Sequence, residues 1–158
     1  MNNMKYYAFL FVMDELLLSK GKESGINKKI SASFGKLEKI KNELLIPEIQ
    51  SSISEDRVND ICETWLKCPQ FILTERPILV CAVKLDNANN KYYLIDGQHK
   101  LASAIKLYNE HHIDERLDVV VLFVESEEEY ENMFRLSNMD SLKNKLCIDN
   151  DTFTQKKN

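Results

Sequence analysis

The chain has 158 residues, 44% of them hydrophobic and 29% charged, proportions that suit one globular core and exclude a largely disordered protein. With 25 acidic against 21 basic residues the net charge is −4, which excludes a surface that attracts nucleic acid everywhere and leaves only a local contact open. Four cysteines without a CxxC pair, beside only three histidines, give no zinc-site spacing and suit a reduced, intracellular, cytoplasmic protein.

The first apolar stretch, Tyr6 to Leu18, has the look of a signal peptide, but Asp14 and Glu15 interrupt it and no small-residue cleavage site follows. It also falls short of the about 20 apolar residues that span a bilayer, so no membrane contact is expected. Phe9, Val12, Met13, Leu16 and Leu17 share one helical stripe by their i, i+3, i+4 spacing. This predicts an N-terminal amphipathic helix that packs on the chain's own core or, as the alternative, docks a protein partner or a second copy of the chain. Residues 19–35 are rich in Lys, Ser, Gly and Asn and read as a mobile connector, and residues 36–43 as a short charged helix. Residues 1–43 are therefore expected to form a helical extension and connector, residues 44–138 the main domain, and residues 139–158 a tail.

Leu44–Ile46 reads as a first short strand, stopped by Pro47. Ser54 is placed to cap a helix whose first turn carries Glu55 and Asp56, and whose buried face is Val58, Ile61, Cys62, Trp65 and Leu66. Pro69 ends that helix, and Pro77 introduces residues 78–83, a continuous apolar run that suits a strand buried on both faces. Residues 86–90 are turn-forming, and Tyr92-Tyr93-Leu94-Ile95 returns as the partner strand of a hairpin. Leu101, Ala104, Ile105 and Tyr108 then mark a helix and residues 117–124 another strand, which together imply a crossover unit. Ser126 and Glu129 form an S-x-x-E capping box for a last helix burying Tyr130, Met133 and Phe134. The sum is an α/β (α+β) protein with a small mixed sheet and flanking helices.

Between the second hairpin strand and the next helix stands Asp96-Gly97-Gln98-His99-Lys100. A glycine at such a junction lets the backbone turn tightly, and the amides of the helix's first turn point outward as an anion site. His99 and Lys100 in that first turn oppose the helix dipole, so a negative charge is needed there. A bound phosphate meets that need; so does Asp96 acting as a local cap, with no ligand at all. Both readings stand on residue types alone.

The stretch Tyr92 to Ala104 resembles the D-G-x-H-R-x-x-A signature of the ParB/sulfiredoxin-like superfamily, and Ile46–Ile53, residues 54–67 and Pro77-Ile78-Leu79-Val80 are similar in kind and order to its preceding segments. The likeness covers residues 44–136 and implies a ParB/sulfiredoxin-like fold that holds a nucleotide, with a nucleoside triphosphate (ATP or CTP) and Mg²⁺ as the cofactor. It implies phosphate contacts from Gly97, Gln98, His99 and Lys100, assisted by Arg57 and Thr64. Asp96 and His99 take the catalytic roles, with Asp96 positioning Mg²⁺ or water. Lys100 departs from the family's arginine, exchanging a bidentate fork for a point charge, and Asp60 stands where a serine is expected. Gln98 occupies the place of sulfiredoxin's reactive cysteine, and an amide cannot be a sulfur nucleophile, so that activity is excluded. The wording D-G-Q-H is instead shared with DGQHR-type domains of DNA-modification and mobile-element contexts, and Phe134 to Asn138 resembles their downstream F-x-x-x-N feature.

The resemblance thus implies NTP hydrolysis or phosphoryl transfer in a DNA-related process. The residues after the last predicted helix are too few for a three-helix DNA reader, so nucleic acid is not expected to be read by this chain alone. Two alternatives remain open: a non-catalytic interaction module of a larger assembly, and a metal-dependent nuclease using carboxylates such as Glu48, Glu75 and Asp96. His111-His112 beside Asp114 and Glu115 reads as a solvated loop before a metal site, and Glu127 to Glu129 with Glu131 as acids at a helix start. Abundant Asn, Lys and Ile suggest an A/T-rich genome such as that of a virus or mobile element, and with it a host cytoplasm or virion as location.

Overall fold

The computed structural model describes residues 12–19, 22–24, 27–47, 52–85 and 90–135. The apolar run at its centre is β4 (Ile78–Val83), buried at all six positions because both of its faces are covered. Around it lie β1 (Lys22–Ser24), β2 (Asn27–Ser33), β3 (Leu44–Leu45), β5 (Lys91–Asp96) and β6 (Arg116–Val124), in the spatial order β1-β2-β6-β4-β5-β3. β4 runs parallel to β6 and antiparallel to β5, β2 is antiparallel to β1 and β6, and β3 adds to β5 in parallel. The mixed sheet with flanking helices expected from the sequence is therefore present.

The helices are α1 (Val12–Ser19), α2 (Phe34–Ile40), α3 (Glu55–Lys67), α4 (Gln70–Leu73), α5 (Gln98–His111) and α6 (Glu127–Tyr130), with a 3₁₀ turn at Lys41–Glu43 and a π turn at Glu131–Arg135. Alternation along the strands divides their side chains between two cores. Ile30, Ala32, Val80, Leu94, Val119 and Val121 face α1, α2, α3 and α5, where Phe34 stacks on Trp65 at 5.9 Å between ring centres. Leu79, Cys81, Val83, Ile95, Leu122 and Val124 face the other way, under Tyr130 and Phe134. Tyr93 stacks flat on Tyr130 at 4.1 Å. No helix among the described residues is long and apolar enough to cross a membrane.

Several sequence expectations are corrected. Residues 19–35 are not a connector: β2 pairs with β6 over seven positions, from Asn27 opposite Leu122 to Ser33 opposite Arg116. Only Ile30 and Ala32 of that strand reach the core, while Lys29 and Ser31 are exposed, which is why its sequence reads as polar. Gly35 belongs to α2, where a Cβ would lie 3.0 Å from the Tyr108 ring, so it serves close helix approach and not a loop. β3 stops at Leu45, and Leu66 is exposed where burial was expected. α5 does carry the chain over β4, but the strands it joins are antiparallel to each other, since β4 opposes β5 and follows β6. In the capping box Ser126 Oγ accepts from the Glu129 amide as expected, while the Glu129 carboxylate returns to the Glu125 amide, one residue before the cap.

The stripe of α1 packs on the chain itself: Met13 and Leu17 are buried, with Val12 and Leu16 against the same core, while Phe9 lies outside the described residues. Both ends of this helix are held by charges from elsewhere. The Glu43 carboxylate accepts from the Val12 and Met13 amides at 2.8 and 3.0 Å, and the Lys28 ammonium donates to the Leu17 carbonyl, each matching the local sign of the helix dipole. Tyr92 donates its hydroxyl to Asp14 from below. Burial, and then that carboxylate, hold the Tyr92 phenol well above its ordinary pKa, so it stays a donor.

Candidate functional site

The candidate turn lies where β5 ends and α5 begins. At Ile95 the pairing of β5 with β4 slips by one residue, so that Asp96 faces Leu79 and Leu94 faces Val80, a bulge that re-aims the strand end. Gly97 then takes φ 103° and ψ 21°, in the left-handed region. A Cβ at this position would also stand 3.1 Å from Ile78 Cγ1 and 3.3 Å from Ile78 Cα, so a side chain is opposed by both backbone and packing.

α5 is the longest helix described, and its N-cap residue has no side chain with which to cap it. The others of seven residues or more are capped by a side-chain oxygen: Glu43 at α1, Ser33 at α2, Ser54 at α3. Close beside the α5 start lies the start of α3. The Ser54 amide donates to His99 Nε2 at 3.0 Å, Ser103 Oγ reaches the Val58 carbonyl at 3.4 Å, and Lys106 donates to Asn59 at 2.7 Å. Partners advance together along both helices, so α3 and α5 run parallel and bring two positive dipole ends to one place.

His99 is a hydrogen-bond acceptor here. Its Nε2 lone pair receives the Ser54 N–H, which fixes a neutral imidazole with its proton on Nδ1. Burial, and then the nearby Arg57 charge, lower its pKa below the ordinary 6.5. Lys100 sends its ammonium to the Arg76 carbonyl at 2.6 Å, tying the first turn of α5 to the segment that leads into β4. Gln98 is buried, and Asp96 is half-buried at the strand end.

Of the residues named from the sequence, Asp96, Gly97, Gln98, His99 and Lys100 are consecutive, and the fold adds Arg57 through the first turn of α3. Thr64 is exposed and stands seven residues further along α3, about 10 Å beyond Arg57 at 1.5 Å per residue, toward the C-terminal end of the helix. Glu48 lies outside the described residues. The His111–Glu115 segment is a structural corner: His112 takes φ 57° at the end of α5, and Asp114 and the Glu115 carbonyl accept from the Gly35 and Phe34 amides that open α2. Glu127 pairs with Lys91 at 3.0 Å and accepts from Tyr93, a surface brace and not a site.

Sequence reasoning missed Ser54 as a partner of His99 and missed Ser103 altogether. Ser103 is fully buried and donates to the His99 carbonyl at 2.7 Å, four residues back, while its own carbonyl receives the Cys62 thiol at 3.6 Å. The i, i+4 spacing of His99 and Ser103 on the helix face toward α3 was the available signal. Among the described residues, no three His, Cys, Asp or Glu side chains gather as a metal site. No protein-family model matches this sequence, and no curated protein matches it with significance.

Proposed function

We propose that the chain is a nucleotide-binding domain of the ParB/sulfiredoxin-like kind, with the phosphates of ATP or CTP seated at the Gly97 turn and phosphoryl chemistry in a DNA-related process as its work. The observation that carries this reading is the meeting of the α3 and α5 N-termini, with α5 opening on a glycine and no side-chain cap. The D-G-Q-H-K wording, which resembles the superfamily's phosphate turn, lies at that place. In this arrangement the α5 amides meet phosphate oxygens, Arg57 and Lys100 supply positive charge, and the Nδ1–H of neutral His99 donates. A single carboxylate at the turn suits Mg²⁺ that arrives with a nucleotide, since Mg²⁺ is held by one or two carboxylates together with substrate phosphates. Asp96 would hold it, and the ion would neutralise charge on the transferring phosphoryl group.

Calorimetric titration of the purified protein with ATP, CTP, GTP and ADP, each with Mg²⁺, tests the proposal. Saturable binding of at least one nucleotide is expected, weakened about tenfold or more in His99→Ala, as for loss of one well-placed phosphate contact. Binding of none of the four sinks it. The alternative of an interaction module now rests on the exposed Leu66, Phe71 and Leu73 at the α3–α4 corner, because α1 spends its apolar stripe on the chain's own core.

A further inference from the structure

The Ser54–His99 hydrogen bond joins two elements that otherwise repel at this end. Parallel helices place like dipole ends side by side, and here the amide at the positive end of α3 is absorbed by a lone pair on a side chain from the positive end of α5. Only the neutral imidazole has that lone pair; in the protonated ring both nitrogens carry hydrogen and neither accepts. A proton on His99 would therefore break the bond and add a full charge where two helix ends already bring partial positive charge.

The charged groups around the ring sharpen this. Arg57 on α3 opposes a second cation, and its field reaches His99. Lys100, next on α5, has its ammonium on the Arg76 carbonyl. Glu55 and Asp56 follow Ser54 in α3 and are exposed, where water screens them, and Asp96 ends β5 three residues before the ring. The rest of α3 is fastened independently by the buried Val58, Cys62 and Trp65 and by the Ser103 contacts, so losing the bond frees one turn and not the helix.

We propose that the Ser54–His99 hydrogen bond is a pH-operated latch: neutral His99 holds the first turn of α3 against the start of α5, and protonated His99 releases it. The latch goes beyond nucleotide binding and does not require it, because its parts are all within the chain. It has one consequence for any anion that binds at the turn. A ligand that accepts from the Nδ1–H of the neutral ring leaves the Nε2 lone pair on the Ser54 amide, so it binds to the closed latch and holds it closed.

The test is an NMR titration of the full chain from pH 8 to pH 5 without ligand, following the Ser54 amide and the His99 ring carbons together. The two are expected to share one midpoint below 6.5, and Ser54 amide exchange, corrected for its intrinsic pH dependence, should speed at least tenfold through it while the amide of the buried Trp65, further along α3, is unchanged. A Ser54 amide that stays fixed while His99 titrates overturns the latch, as does a His99 midpoint at or above 6.5. In His99→Asn the Ser54 response to pH is expected to vanish; its persistence assigns the titration to another group and equally overturns the proposal. Should that variant fail to fold, the wild-type titration decides alone.

Discussion

The N-terminus of α1 and that of α5 carry the same partial positive charge, and the molecule treats them differently. At α1 the Glu43 carboxylate, thirty-one positions away from Val12, comes across to accept from two amides at once. At α5 the N-cap residue is a glycine with no side chain to offer, and Gln98, His99 and Lys100 follow. A helix end neutralised by the chain's own carboxylate is finished as a piece of structure. One that begins after a left-handed glycine beside a second helix end is where the proposed phosphate would sit.

Three changes would break or sharpen this contrast. Gly97→Val is expected to have the largest effect, about 3 kcal/mol of destabilisation, because it combines a left-handed backbone with a clash against Ile78. A urea midpoint close to wild type would show that the turn relaxes and that the glycine serves only ligand approach. Glu43→Ala comes next, at about 1–2 kcal/mol, for the loss of a charged cap on a partly buried helix end. Nucleotide affinity should be untouched in that variant, and a shared loss of both properties would contradict the separation of the two helix ends.

The smallest effect concerns acid. The folded pKa of His99 lies below its unfolded value, so the unfolded chain binds the proton more readily in the window between them. The stability owed to His99 is complete above about pH 6.5 and declines as pH falls through the folded pKa. Denaturation midpoints measured from pH 8 to 5 should fall more steeply in wild type than in His99→Asn. Parallel curves would detach the imidazole from the helix junction.

The central parts of the fold were legible because their sequences state their surroundings. Residues 78–83 are apolar without interruption since both faces are covered, and the Val58, Cys62, Trp65 spacing gave the buried stripe of α3. β2 was missed because half its side chains meet water and the inward set is two residues long, too brief an alternation to outweigh Lys and Ser. The candidate turn was visible as a run of five consecutive residues, whereas its fastening was not. The Ser54 amide and the Arg76 carbonyl are backbone groups, and no residue type announces which distant side chain will reach them.

Among the described residues, the thiols are placed at three depths. Cys68 is exposed after the end of α3; Cys62 is buried on the α3 face toward α5, and its thiol is pushed up by burial; Cys81 lies at the centre of β4, pushed up to about 12 by burial and then by Glu129 and Glu127. The thiolate is the form that alkylating reagents attack, so exposure orders the three sites and the raised pKa of Cys62 and Cys81 slows them further. Reaction at Cys68 therefore marks the intact protein, reaction at Cys62 the parting of two helices, and reaction at Cys81 the opening of the sheet itself. The protein carries its own graduated chemical clock for successive stages of unfolding.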